Sequence, residues 1–448
     1  MRRILDRSIK VIVALFCVLQ LNAQEVGGTL TFSEAVKIAL ENNVTIKRQE
    51  NQQYVNQAQK TSSMASMAPQ ITAFAQGWKT QGNQFIEQEA RVVNDAETTN
   101  FFGTVDASMP LFNGFNRINQ IKQANINLEA QQHLVNQTRQ DVITDVANQY
   151  LQCLLDIELL NIAKENLQSQ KIQLEQIEIM VQEGSRAKVD EYNQESIVKT
   201  AEVTTLRAEI TLRNDLAILS RTLQLDPTVS FKVEEPSWSI EEMQFESRDL
   251  ENLYEIAKTN RNDLLQAQKN VSSNKKGMAI ARSAYVPTLS AFASINSRYS
   301  DASIPAFEDQ MNSNLRKAYG LRLNIPIFNG LQNRTSFVQS KVDYENAQLT
   351  LENLENVVKT DVLSAYQNYQ DAIKNYEASE ASYESAEIAL KLERERYNLK
   401  ASDLVQLTTA QQRFIEAQSN LAQARYTLLF QDILLQYAVG TLKFEDIP

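Results

Sequence analysis

Met-Pro-Leu-Phe-Asn-Gly at residues 109–114 returns as Ile-Pro-Ile-Phe-Asn-Gly at residues 325–330. The two segments are displaced by 216 residues, and each combines a proline, a phenylalanine and a closing Asn-Gly. Asn-Gly favours a sharp turn. A motif that recurs at a spacing far longer than a solenoid repeat indicates an internal duplication of the whole chain.

Other segments repeat with nearly the same displacement. Residues 67–75 resemble residues 285–293, displaced by 218, and Asp-Val and Tyr recur at matching positions of 145–150 and 361–366. We therefore predict a first structural repeat over residues 24–225 and a linker over 226–248. The second repeat, with a C-terminal equatorial segment, is predicted over 249–448.

Each motif is followed by a stretch without helix-breaking residues. Residues 115–183 contain neither Gly nor Pro, and the same holds for residues 331–439. At 1.5 Å per residue the first stretch would form a helix roughly 100 Å long. Apolar residues recur every seven positions from Ile121 to Val142, which is typical of helices packed along other helices. Gly184 and the segment 399–402 are the predicted turns into antiparallel return helices.

Upstream of each motif the pattern predicts two helices and then two strands. The helices are expected at residues 32–42, 46–67, 250–260 and 264–285. Apolar and polar residues then alternate with a period of two, as in residues 319–325, which favours a sheet with one apolar and one wet face. We expect the two strands of each pair to be joined by long polar loops, at residues 79–100 and 297–314. The fold class is therefore mainly α with β.

The composition agrees with long helices and excludes several functions. The 448 residues include 11 Gly and 8 Pro, but about 80 Gln and Asn. Because the chain has one His, two Cys and a net charge of −11, most metal and thiol chemistry and nucleic-acid binding are disfavoured. We find no carboxylate paired with a base, no phosphate loop and no metal-ligand spacing. The sequence predicts no enzyme activity, no catalytic or metal residues and no cofactor.

The N-terminus has the pattern of a secretory signal peptide at residues 1–23. Four basic residues precede an almost wholly apolar segment at 11–21, and Ala23 supplies the small residue for cleavage. An uncleaved N-terminal anchor is the alternative. Cys153 is then the only thiol of the mature chain, and its leucine-rich surroundings predict a buried small hydrophobe.

Four membrane strands in one chain cannot close a barrel by themselves. A barrel needs about eight strands, and an open sheet edge cannot face lipid because its backbone groups would lack hydrogen bonds. Several chains must therefore share one barrel. A signal peptide together with amphipathic strands indicates an outer membrane, with the long helices in the periplasm.

These features together resemble the TolC family of outer-membrane efflux and secretion channels. The resemblance rests on the duplicated half, the strand, Pro-x-Phe-Asn-Gly and long-helix junction, the helical hairpin, and residues 434–442. It implies a homotrimer with a 12-stranded β-barrel, four strands per protomer, that continues into a long periplasmic α-helical barrel. It also implies a periplasmic adaptor, or membrane fusion protein, and an inner-membrane pump as partners in a Gram-negative-type bacterium.

The resemblance places a periplasmic gate at the ends of the helical hairpins. Asp190 matches the gate aspartate and Tyr397 the tyrosine that holds the second hairpin, so we predict a hydrogen bond between them. Gln406 and Thr409 stand where well-known members carry aspartates that narrow the tunnel. Glu191 is a candidate for supplying the negative charge in their place. The alternative is that these are solvated helix-end residues.

The other implied sites lie at the tips and in the barrel. Residues at the two hairpin tips are candidates for adaptor docking, although any helical hairpin needs a turn: Gly184, Ser185, Arg186, Ala187, Lys400, Ala401 and Ser402. The barrel–tunnel junction comprises Pro110, Phe112, Gly114, Pro326, Phe328 and Gly330, whose phenylalanines are expected to pack at interfaces. Asp106 and Arg322 are expected in the barrel lumen, either paired or as separate solvated wall residues.

The function predicted from this resemblance is a passive exit duct of a tripartite efflux system for small molecules. The alternative with the same architecture is a type I secretion duct for polypeptides. A periplasmic adaptor is a third hypothesis, but adaptors carry one hairpin and no membrane strands. A purely structural coiled-coil rod is a fourth, and it predicts no pore.

Overall fold

The computed structural model describes residues 28–86, 90–226, 231–235 and 249–442. The predicted signal peptide and most of the predicted linker lie outside the described residues. In chain order the first half contains β1 (Thr29–Leu30), α1 (Phe32–Asn42), α2 (Val44–Ala65), β2 (Gln70–Ile86), β3 (Arg91–Phe112), α3 (Asn116–Gln182) and α4 (Lys188–Thr222). After β4 (Lys232–Val233) the second half contains α5 (Leu250–Asn260), α6 (Asn262–Ser283), β5 (Thr288–Ser300), α7 (Phe307–Ser313), β6 (Arg316–Asn324), α8 (Gln332–Asn398) and α9 (Leu404–Ala438).

The four helices that the two halves have in common are identical in length, and α7 is additional in the second half. Helices α1 and α5 have 11 residues each, and α2 and α6 have 22. Helices α3 and α8 have 67 residues each, and α4 and α9 have 35. The predicted internal duplication is confirmed, as are the long helical hairpins and the break between residues 398 and 404.

After the Asn of each Asn-Gly motif, two consecutive residues with left-handed backbone precede the long helix. Gly114 and Phe115 are both left-handed, with φ of 64° each, and Gly330 and Leu331 repeat this at 65° and 67°. Glycine tolerates such a φ without steric cost, which explains why it stands at this position of each motif. The pair of left-handed residues turns the chain from the strand into the helix.

The four long strands form one antiparallel sheet in the order β2-β3-β5-β6. Val105 lies opposite Ala73 on one side and Ile295 on the other, which fixes the register across three strands. Residues directly opposite one another share a face. One face is therefore apolar, with Val105, Ile295 and Leu321 among its residues. The opposite face carries most of the polar side chains, and β2 and β6 are the edges of the sheet.

The predicted long loop of the first half was wrong, and that of the second half was partly right. Strands β2 and β3 stay paired from Gln70 opposite Ser108 to Ile86 opposite Arg91, so residues 79–100 form an extended hairpin. In the second half β5 continues to Ser300, and α7 occupies much of the predicted loop. Polarity misled the prediction because a hairpin with water on both faces needs no apolar side chains, so its period-two signal disappears.

The helices pack as a row around three apolar clusters. Below the sheet α2 and α6 flank α3, and α8 lies against α6; towards the tips the order is α4, α3, α9, α8. The largest cluster contains Tyr150, whose hydroxyl lies 2.8 Å from the Leu30 carbonyl oxygen and 2.7 Å from that of Glu234. Cys153 is fully buried there, as predicted. No helix within the described residues is both long and apolar enough to cross a membrane.

Candidate functional site: hairpin tips and barrel sheet

The first hairpin tip is a tight turn between α3 and α4. Gly184 adopts a left-handed backbone with φ of 76°. The amides of Ser185 and Arg186 both donate to the Met180 carbonyl oxygen, at 2.8 and 3.2 Å. These bonds satisfy the Met180 carbonyl oxygen in the last turn of α3, which is how helices ending at a left-handed glycine terminate.

The second tip has the same backbone but different side chains. Lys400, displaced by 216 from Gly184, is also left-handed, with φ of 59°. The Ala401 amide donates to the Arg396 carbonyl oxygen at 2.8 Å. Asp403 caps α9 by accepting a hydrogen bond from the Gln406 amide at 2.9 Å. Of the seven predicted docking residues, only Arg186 and Ser402 are half-buried, and they occupy equivalent positions.

Three predicted residues meet where the two hairpins touch. The Arg186 guanidinium carbon lies 5.0 Å from the centroid of the Tyr397 ring, and Arg186 Nη1 lies 4.0 Å from Asp190 Oδ2. Tyr397 is only 7% exposed and packs among Ile177 and Leu404. Burial raises the pKa of Tyr397, while Arg186 opposes that rise and Asp190 adds to it. Arg186 thus joins Asp190 to Tyr397, in place of the direct hydrogen bond that we predicted.

The remaining predicted gate residues contact their own helices. Glu191 pairs with Lys188 at 2.5 Å in the first turn of α4. Gln406 accepts a hydrogen bond from the Ser402 hydroxyl at 3.0 Å, and Thr409 donates to the Val405 carbonyl oxygen at 2.7 Å. Sequence reasoning assigned Arg186 to docking and missed its place in the cluster. The available signal was its position four residues before Asp190, in the tip turn just before α4 begins.

The two junctions differ in how tightly they are packed. A Cβ on Gly114 would lie 3.0 Å from the Val286 Cβ and 3.1 Å from the Ser283 carbonyl oxygen, whereas a Cβ on Gly330 would meet nothing within 4 Å. Phe112 packs edge-on against Phe115 at 5.6 Å. The second junction, Pro326 to Gly330, leaves Phe328 81% exposed. Pro110 lies opposite Ser290, just before a bulge in β3.

Asp106 and Arg322 share the polar face of the sheet but do not meet within the protomer. Asp106 lies opposite Ser294, whereas Arg322 lies opposite Ser290, four positions along β5 and one strand further away. Asp106 accepts a hydrogen bond from the Thr104 hydroxyl at 3.0 Å. The Arg322 guanidinium carbon lies 5.2 Å from the Phe292 ring centroid. Within the single protomer Asp106 and Arg322 are therefore unpaired with each other, and their place in a barrel lumen stays a prediction.

The model of the outer membrane efflux protein family matches residues 35–223 and 253–441, one match for each half of the duplicated chain. The chain belongs to the outer membrane efflux protein family.

Curated relatives agree with this assignment. The outer membrane protein TolC of Salmonella enteritidis is 25% identical over 313 residues, which cover 69% of this chain and 63% of that protein. TolC of Escherichia coli strain K12 is 24% identical over 319 residues, with the same coverage of the two chains. The aligned region thus spans less than two thirds of these relatives.

Solved structures share the fold. CusC, whose structures describe folding and transmembrane channel formation, aligns with a TM-score of 0.80 at 18% identity, covering 91% of this chain and 92% of CusC. The outer membrane protein VceC of Vibrio cholerae aligns with a TM-score of 0.78 at 15% identity, covering 91% of this chain and 96% of VceC. This efflux family member therefore shares with these structures a sheet that continues into long helical hairpins, and its family indicates an outer-membrane location with a large periplasmic part.

Proposed function

We propose that this efflux family member is a passive exit duct of a tripartite system. Three copies would close a barrel and tunnel, and a periplasmic adaptor and an inner-membrane pump would deliver small molecules to it. The observation that carries the proposal is the four-stranded sheet. It has an apolar face and two open edges, and its strands β3 and β6 are each followed by a helix of 67 residues.

The sheet edges support sharing of one barrel among copies. Strands β2 and β6 are each paired on one side only. Unpaired backbone groups are not tolerated in the hydrocarbon region, and four strands enclose no space for side chains. Pairing β6 of one copy with β2 of the next satisfies both edges, and three copies give a closed barrel.

The edge helices of the row support the same assembly. Near the tips α4 and α8 have a neighbour on one side only, and both carry exposed apolar side chains at spacings of three, four or seven residues. On α4 these include Val203, Leu206 and Ile210, and on the tip-proximal part of α8 they include Ile388 and Leu392. Apolar stripes at such spacings are suited to helix–helix packing. A second copy that places its α8 against α4 would cover both stripes and continue the row into a ring.

The surface of the hairpin tips is evidence for a binding partner at the periplasmic end. Large apolar side chains lie exposed around both turns, among them Val189, Tyr192, Leu399 and Val405. Several large apolar side chains exposed around the same turns are typical of protein interaction sites. The helical hairpin of an adaptor, packed between the tips, is the partner that this surface fits.

The test combines assembly, conductance and cargo. The detergent-purified protein is expected to have the mass of a trimer and to give discrete conductance steps in a planar bilayer. A deletion strain is expected to accumulate drugs that the complemented strain exports, with its secreted proteins unchanged. A monomer without conductance steps would refute the duct. A deletion strain that loses a secreted protein but keeps its drug resistance would instead identify a polypeptide secretion duct.

A further inference from the structure

The polar face of the barrel sheet carries more arginine than acid. Arg298 lies opposite Phe102, Arg316 opposite Asn296 and Arg322 opposite Ser290. Alternation along each strand puts all three on the face that bears Asp106. In the regularly paired part of the sheet, residues 70–82, 96–112, 288–300 and 316–324, these four are the charged residues of that face. Each protomer therefore has three positive charges there against one negative charge.

Neither the protomer nor a neighbouring barrel strand neutralises this excess. Within the described parts of the chain none of the three arginines forms an ion pair, and Arg298, Arg316 and Arg322 are exposed. In a closed barrel, edge strand β6 would meet β2 of the next copy. Strand β2 contains Lys79 as its one charged residue and no carboxylate. The positive excess therefore persists in any assembly that pairs these edges.

Aromatic rings share the face with these arginines. Phe74 lies opposite Thr104, and Trp78 lies opposite Asn100, so both join Phe102 and Phe292 on the polar side. The Phe292 ring covers Gly320, where a Cβ would come within 3.2 Å of it. Because Gly320 leaves room for the ring, Phe292 can support the Arg322 guanidinium at 5.2 Å. A flat apolar surface thus lies beside a positive charge.

We propose that the barrel lumen is an anion-attracting passage with aromatic walls, suited to anionic cargo that carries an apolar or aromatic body. This inference rests on the proposed function, because it takes the polar face to line the pore. Rings of arginine or lysine give pores anion preference, and low-dielectric walls concentrate the field inside. The aromatic surface would hold the body of such a solute while an arginine holds its charge.

Ion selectivity measured in a planar bilayer tests whether the three arginines make the pore prefer anions. At 0.1 M KCl, where the Debye length is about 10 Å, the wild-type channel is expected to pass chloride in preference to potassium. The triple variant Arg298→Gln, Arg316→Gln, Arg322→Gln is expected to lower the chloride-to-potassium permeability ratio several-fold. Arg298→Gln alone is expected to shift the ratio in the same direction by a smaller amount. Lys317→Gln, on the apolar face opposite Ile295, is the matched control and should leave the ratio unchanged.

A second measurement tests the cargo class. Naphthalene-1-sulfonate added to the outer side is expected to reduce wild-type conductance more than 1-naphthylmethylammonium does. The difference should disappear in the triple variant and weaken in Phe292→Ala. Equal block by both probes, or a permeability ratio that the triple variant leaves unchanged, would overturn this inference alone. Absence of conductance steps in the wild-type protein would overturn the duct itself, and this inference with it.

Discussion

The two hairpin tips share a backbone and differ in chemistry. Positions displaced by 216 residues pair Gly184 with Lys400 and Asp190 with Gln406. The first tip contributes an arginine and an acid, whereas the second contributes the ring of Tyr397, on which Arg186 lies. Equal helix lengths bring these unlike side chains to the same level. Duplication thus gave two copies of one framework, and the differences between the copies made them complementary.

The same comparison can be made where the return helices end below the sheet. Gln224 after α4 and Gly440 after α9 are both left-handed, with φ of 56° and 74°. A Cβ on Gly440 would lie 2.7 Å from the Arg261 amide nitrogen. Arg261 is itself fixed by Asp263, at 2.6 Å, and by Asp361, at 3.1 Å. The backbone around Gly440 therefore cannot shift to make room.

We expect the largest effect at this position. Gly440→Ala should lower the free energy of unfolding by about 3 kcal/mol or more, since a left-handed alanine and an overpacked contact both cost energy. Gln224→Ala, which already has a Cβ at the equivalent position, should change it by less than about 1 kcal/mol. Guanidinium chloride unfolding in detergent, followed by circular dichroism, measures both. Similar losses in the two variants would contradict the role of the Arg261 contact.

The gate comparison predicts a difference in conductance between two equivalent positions. Asp190→Ala combined with Tyr397→Leu should raise the single-channel conductance, because it removes both the carboxylate and the aromatic ring that Arg186 contacts. Arg186→Ala should have the same effect, since Arg186 contacts both residues. Gln406→Ala is the matched control, because Gln406 bonds within its own hairpin. Unchanged conductance in both gate variants would remove the gate from this site.

A third difference between the two halves lies at a buried position of the long helices. Asp156 is 4% exposed, and the equivalent residue of the second half is Ala372. Burial and then the hydrogen bond with Asp215 raise the pKa of Asp156 to about 7 from an ordinary value of 3.8. The folded state therefore holds a proton that the unfolded chain has already released. Stability from this group decreases as the pH rises from about 4 to about 7.

Asp156→Ala copies the second half and should abolish this pH dependence. The free energy of unfolding of wild type, relative to the variant, is expected to fall between pH 4 and pH 7 and then to level off. Asp371→Ala, which removes a carboxylate whose side chain is 77% exposed, is the control and should produce no such slope. Unfolding titrations at several pH values measure it, and a difference that stays constant with pH would contradict the prediction.

We expect the smallest effect when the left-handed residues of the two tips are exchanged. Lys400→Gly should raise the free energy of unfolding by about 0.5–1 kcal/mol. Glycine removes the steric cost of a left-handed lysine, and this gain exceeds the loss that comes from the greater conformational entropy of the unfolded chain. The reverse change, Gly184→Lys, should lower it by a similar amount. The same chemical unfolding measures both. A loss of stability in Lys400→Gly would show that the lysine side chain makes a contact in the assembly.

Much of the architecture could be predicted from the chain alone. The Pro-x-Phe-Asn-Gly pair located both strand–helix junctions, and the absence of Gly and Pro from residues 115–183 predicted a helix that the structure places at Asn116–Gln182. Such signals are local, because backbone preferences act within a few residues. The extended β2–β3 hairpin escaped prediction because its polar strands carry no amphipathic pattern. The boundaries of the predicted repeats and linker, and the docking and gate roles, stay predictions.

By itself the sequence determined the duplication, the strand and helix order and the positions of the turns, since these follow from repeated motifs and residue spacing. Only the tertiary structure decided which side chains meet. Arg186 reaches Tyr397, more than 200 residues away, because two helices of equal length end at the same level. Arg298, Arg316 and Arg322 share a face because strand register places them there. Contacts between distant segments depend on packing and register, and no local pattern in the chain records them.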